Sequence, residues 1–160
     1  SGGGYVVEGK EVGEWLEVLK LVASDAAAND YFGESVSFSD GVAVVGAKEN
    51  DDNGGSSGSA YVFERQKDGA WLEVSKLLAS DGYNSDHFGV SVSVSNGTAV
   101  VGAHLHDDNG MSRSGSSYVV DRQEDAAWLE VSKLLGSDAA AKDYFGYSVS
   151  VSDCGGGVGW

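Results

Sequence analysis

Ser91-Val92-Ser93-Val94-Ser95-Asn96-Gly97-Thr98-Ala99-Val100-Val101-Gly102-Ala103 alternates small polar with apolar residues, then turns at Asn-Gly into an almost wholly apolar run. Alternation with period two puts successive side chains on opposite faces of a pleated strand, and no helix keeps an apolar face with that spacing. Asn96-Gly97 stands where a two-residue hairpin needs positive φ at both positions. The stretch therefore reads as two antiparallel strands joined by a tight turn.

Working outward, the same text recurs. SVSFSDGVAVVGA fills 35–47, and SVSVSD begins again at 148. Trp15, Trp71 and Trp128 open WLEVLKLVASD, WLEVSKLLASD and WLEVSKLLGSD, and Phe32-Gly33, Phe88-Gly89 and Phe145-Gly146 keep the same step. AYVFERQ at 60–66 has a partner in SYVVDRQ at 117–123, and Tyr5-Val6-Val7-Glu8 is a worn third copy. A repeat of ~57 residues thus holds four short strands, the content of one β-propeller blade. Asp25-Ala26-Ala27-Ala28-Asn29-Asp30, the one helix-like run, is too short to bury a helical face and reads as a turn or a single helical turn.

The expected fold is all-β, built of antiparallel four-stranded propeller blades, with about eleven strands or ~2.75 blades in the chain. Residues 1–24 hold the third and fourth strands of one blade, 25–80 and 81–137 one blade each, and 138–160 the start of another with an irregular Gly-rich tail. Propellers close with about four to eight blades. The expectation is therefore a partial propeller, or one part of an assembled one.

Ten Lys+Arg against 25 Asp+Glu give a net charge of −15, which repels phosphate backbones and anionic headgroups and excludes nucleic acid as a partner. No run approaches the ~20 apolar residues of a membrane-spanning helix, so direct membrane insertion is excluded, and the Gly-rich start has no basic-then-apolar leader. Cys154 is the only cysteine, which rules out an internal disulfide.

Phe88-Gly89 opening one strand and Val101-Gly102-Ala103 closing the next resemble the FG-GAP repeat, the blade of the integrin α-subunit propeller. The bacterial and algal subtype is closer, matched at Trp71, Lys76, Leu77, Asp81, Asp86, Phe88, Gly89, Ser91, Val92, Gly102 and Ala103. The resemblance implies a seven-bladed parent, extracellular or on the cell surface, with adhesive or structural work and often Ca²⁺. It implies no single activity. The calcium loop that integrin blades carry between their first and second strands is absent, because that link is only Asp40-Gly41 or Asn96-Gly97.

Acidic residues sit in other loops. Asp51, Asp52 and Asn53, and again Asp107, Asp108 and Asn109, lie between the second and third strands, and their oxygens suit either a hard cation such as Ca²⁺ or a solvated turn. Asp25, Asp30, Asp81, Asp86, Asp138 and Asp143 lie in the loops between blades, on the same side of the sheet. Asp30, Asp86 and Asp143, just ahead of Phe-Gly, also suit acceptors of backbone N–H bonds that fix the chain before the inner strand. The turns with Arg65, Lys67 and Arg122 fall on the opposite side, so most of the positive charge is expected not to neutralise the aspartate face, which should be strongly anionic.

The repeated Phe, Trp and Tyr positions read as packing between blades. His104 and His106 flank Leu105 beside Asp107 and could hold a transition metal, although the preceding repeat has Lys48 and Asn50 there. Asn96-Gly97-Thr98 is a glycosylation sequon as well as a hairpin turn. With no nucleophile elbow and no acid/base pair, the chain reads as non-enzymatic. The expected work is a scaffold for protein or glycan contact. The alternative is a structural subunit whose blade edges pair with other copies.

Overall fold

The computed structural model describes residues 2–10, 13–153 and 155–159. They form twelve strands and no helix, and the Asp25–Asp30 segment is made of turns. β1 (Gly4–Lys10) pairs with β2 (Glu14–Leu21). β3 (Val36–Ser39), β4 (Val42–Ala47), β5 (Ser59–Arg65) and β6 (Trp71–Leu77) form one four-stranded antiparallel sheet in chain order. β7 (Ser91–Ser95), β8 (Thr98–Ala103), β9 (Ser116–Arg122) and β10 (Trp128–Leu134) form the next, and β11 (Ser148–Ser152) pairs with β12 (Gly155–Gly159). These are consecutive propeller blades, two whole and two half, and the sheets do not close a ring.

The last strand corrects the sequence reading. The tail after Ser152 was expected to be irregular, yet Gly155–Gly159 runs as a strand whose register, Ser148↔Gly159 to Ser152↔Gly155, repeats that of β7 and β8. Glycine brings no side chain that favours a strand, so the neighbouring β11 supplies the order through its backbone. Cys154, on which the disulfide argument rests, lies outside the described residues.

Alternation along each strand decides where the core lies. In β4 and β5, Val44, Ala60 and Val62 face the β7–β10 blade and pack with Phe88, Val92, Val101 and Tyr118. Ala43, Val45, Tyr61 and Phe63 point the other way, against Leu21, Ala23 and Phe32. The middle strands of a blade are buried on both faces, which is why AVVGA is nearly all apolar whereas SVSVS alternates. At about 25 cal/mol per Å² of apolar surface, it is blade stacking that stabilises each sheet.

The Phe-Gly and Gly-Ala motifs interlock between blades. A Cβ on Gly102 would lie 1.9 Å from the carbonyl oxygen of Gly146, and one on Gly46 would lie 2.0 Å from that of Gly89. That approach lets the Ser91 hydroxyl donate to Gly146 O, and the Ser35 hydroxyl to Gly89 O, both at 2.7 Å. The Asp40-Gly41 and Asn96-Gly97 turns have φ of 51° and 76°, and 47° and 78°, as a two-residue hairpin requires.

Candidate functional site

The loop between the second and third strands of a blade packs on the loop that leads to the next blade. Ser85 N–H donates to Gly55 O at 2.8 Å and His87 N–H to Ser56 O at 3.2 Å, and the Asn53 amide donates to Ala79 O at 3.3 Å. Lys142 N–H and Tyr144 N–H repeat the pattern on Ser112 O and Arg113 O. The aspartates of both loop sets therefore do gather on one side of the stack.

Four of these ten aspartates meet a lysine, a local pairing that the charge argument did not foresee, while the face as a whole stays acidic. Lys76 on β6 places its ammonium 2.5 Å from Asp25, against Asp52 as well, and above the ring of Tyr61 at 5.2 Å. Tyr61 donates its hydroxyl to Asp25 at 2.8 Å. One blade later Lys133 stands 2.6 Å from Asp81 and 2.5 Å from Asp108, above the ring of Tyr118, whose hydroxyl donates to Asp81 at 2.7 Å. The lysine of WLEV-x-KL is thus the centre of a clamp that joins two loops to two strands. A second tie runs beside it: Ser24 donates N–H and hydroxyl to Glu73, and Ser80 donates both to Glu130, at 2.8–3.0 Å.

Electrostatics follows from this geometry. Burial works against the Lys76 and Lys133 ammonium groups, but their hydrogen bonds to aspartate outweigh it and lift both above the ordinary lysine value. Burial likewise disfavours ionised Asp25 and Asp81, and the bonds from lysine and tyrosine reverse the effect and lower both. Tyr118 is raised by burial and then by the Asp81 carboxylate it bonds.

The other predicted residues are distributed as follows. Asp30, Asp86 and Asp143 each accept the backbone N–H of the residue three earlier, Ala27, Tyr83 and Ala140, at 2.7–3.1 Å. Asp51 accepts Ser56 N–H and Asp107 accepts Arg113 N–H, across their own loops. Asn109 adopts φ of 50° at an exposed turn, and Asn96 is exposed in its hairpin. Asp138 is exposed ahead of β11.

Among the described residues no three His, Cys, Asp or Glu side chains gather as a metal shell. Calcium takes six to eight oxygens. In this donor set the carboxylates of Asp52 and Asp108 meet an ammonium, while Asp51 and Asp107 close turns, so the set does not fit that ion. His104 and His106 diverge rather than converge. His104 packs against the rings of His87 and Tyr147, and burial, followed by His87 and Lys48, pushes its pKa down to about 4. His106 bonds Asp86 through Nδ1 at 2.8 Å, and its Nε2 lies 3.0 Å from Lys133 Nζ. An ammonium can only donate, so Nε2 accepts and the proton sits on Nδ1.

Sequence reasoning missed the clamp. Its signal was the unchanging lysine in three copies of WLEV-x-KL beside the unchanging Ser-Asp, read across repeats rather than along one.

The FG-GAP repeat family model matches residues 15–63, 71–120 and 128–155. The chain belongs to the FG-GAP repeat family. The first two matched segments run from the tryptophan of an outer strand through Phe-Gly and Gly-Ala into the next blade, and the third runs from Trp128 through Phe145-Gly146 to the end of β11, so the FG-GAP unit spans a seam rather than a single sheet. A search of curated proteins finds no match to the chain.

Proposed function

We propose that this FG-GAP chain is a non-enzymatic scaffold that works outside the cell or at its surface and offers its clamped loop face to a protein or glycan. The observation that carries the reading is a cleft of about 640 Å³ on that face, walled by the 81–86 and 105–113 loops and floored by Lys133. Tyr83 stands at its rim with 69% of its surface exposed, next to the exposed carboxylate of Asp107. An exposed ring beside fixed polar groups suits stacking on a sugar face or a partner's side chain. The reactive groups of the cleft are already engaged, Asp81 in the clamp and Asp86 with Tyr83 N–H and His106, which supports architecture over catalysis. The location outside the cell rests on family membership.

A glycan array probed with the labelled chain and with its Tyr83→Ala and Asp107→Ala variants tests the reading. Binding that the Tyr83 variant loses supports it. An array without signal, repeated with extracellular matrix proteins, speaks against it.

A further inference from the structure

The repeat supplies an internal control for the cleft. Ala27, Tyr83 and Ala140 hold one position in their loops, since each donates its backbone N–H to the aspartate three residues on, Asp30, Asp86 or Asp143. That bond needs no side chain, and the other two loops make it with alanine. The exposed ring of Tyr83 therefore answers no demand of the repeat.

The facing loop departs from the repeat at the same cleft. Ser56 and Arg113 are equivalent: their N–H groups close the loop on Asp51 and Asp107, and their carbonyls accept from His87 and Tyr144. Glu49 and Leu105 are equivalent too, donating N–H to the carbonyls of Asp30 and Asp86. Ser56 gives its hydroxyl to Glu49 at 2.6 Å. The later loop thus gains a guanidinium where it loses the carboxylate. Lys48, Lys76 and Lys133 on this face each pair with a carboxylate, whereas the exposed Arg113 side chain has no hydrogen bond or ion pair among the described residues.

A guanidinium holds its donors in a planar fork that matches two oxygens of a carboxylate or sulfate at once. Tyr83 on the opposite wall offers a flat face to a sugar ring. Asp107 accepts Arg113 N–H through one oxygen and keeps the other for sugar hydroxyls. The net charge of −15 repels a polyanion. Screening over about 8 Å lets the nearest charges decide for a single acid group. We propose that the cleft binds a saccharide carrying one carboxylate or sulfate among neutral sugars, with a ring on Tyr83 and the acid on Arg113. This rests on the glycan form of the function proposed above and names the class of ligand.

Calorimetric titration tests it with a trisaccharide ending in one uronic acid, the methyl ester of that trisaccharide, a counterpart with one sulfate in place of the acid, and a fully anionic oligouronate. The acid or the sulfate is expected to bind about tenfold or more tighter than the ester. Arg113→Ala abolishes that difference, and Tyr83→Ala weakens acid and ester alike. Both side chains are exposed, so the variants keep the parent's circular dichroism and melting midpoint. An ester as tight as the acid and the sulfate, or an Arg113→Ala variant that retains the preference, overturns the proposal and leaves a neutral-glycan cleft standing. An oligouronate that binds tightest overturns it as well. So does the absence of binding by every probe, after which the array of neutral glycans and matrix proteins judges the broader function separately.

Discussion

The hydroxyl of Tyr118 donates a 2.7 Å hydrogen bond to Asp81, 37 residues earlier, and so ties the third strand of a blade to the loop that leads into it. Tyr61 and Asp25 repeat the bond at 2.8 Å, 36 residues apart. Tyr118→Phe removes this donor and leaves Asp81 its lysine, so the expected loss is ~1 kcal/mol, read from urea unfolding. A loss above ~3 kcal/mol would mean that the ring had moved as well.

Lys133→Met takes the ammonium from between Asp81 and Asp108 and leaves both carboxylates facing each other. Hydrogen bonds to charged groups contribute about 1.5–3 kcal/mol, and this clamp is partly exposed, so the expected cost is near the lower figure and shrinks in high salt. The lysine value is raised in the fold, so its contribution is whole below the unfolded lysine value of about 10.4 and fades as pH climbs through the folded one. Asp81 is lowered, so its share is whole above the unfolded value of about 3.9 and fades as pH falls through the folded one. Stability curves of parent and variant therefore differ most between those limits and converge outside them.

Chelation should change little. With Lys76 and Lys133 seated among the aspartates, excess EDTA or millimolar calcium is expected to move the melting midpoint by less than ~1 °C. A fall of several degrees on chelation would put a metal back among Asp51, Asp52 and Asn53 or their counterparts.

Gly102→Ala forces a methyl to within 1.9 Å of Gly146 O, where the inner strands of two blades meet. The expected cost is about 1–3 kcal/mol. Gly110→Ala is the control: its Cβ meets nothing within 4 Å but its φ is 76°, so it reports backbone strain of ~1–2 kcal/mol without the clash. Both are measured by thermal and urea unfolding, and only Gly102→Ala should also raise amide exchange in β7 and β11.

His104 is held neutral by burial, with His87, Lys48 and Arg113 opposing its charge and Glu34 favouring it. Its folded value of about 4 lies below the unfolded one of ~6.5, so the unfolded chain binds more protons between them and stability drops as pH falls across that window. His104→Gln should flatten that part of the stability–pH curve. An unchanged slope would assign the titration to His87, which burial also lowers.

Ser91–Ser95 and the Asn96-Gly97 turn were legible because period-two alternation and positive φ are local properties. The blade order followed from the repeat of Trp15, Trp71 and Trp128. The clamp was hidden because Lys76 meets Asp25 across 51 residues and Lys133 meets Asp81 across 52. No single repeat contains a complete set. β12 was illegible for another reason, since Gly155–Gly159 takes its strand from the template beside it and has only Val158 to announce one.

Among the described residues every tie across a seam joins neighbouring repeats: Ser80 reaches Glu130, Ser91 reaches Gly146, Ser37 reaches Val94, and none there skips a blade. Excising or duplicating one such unit of the coding sequence would leave each surviving junction with its full complement of partners. Unequal recombination can therefore lengthen or shorten this array one blade at a time, and blade number is free to drift while the joint between blades stays fixed.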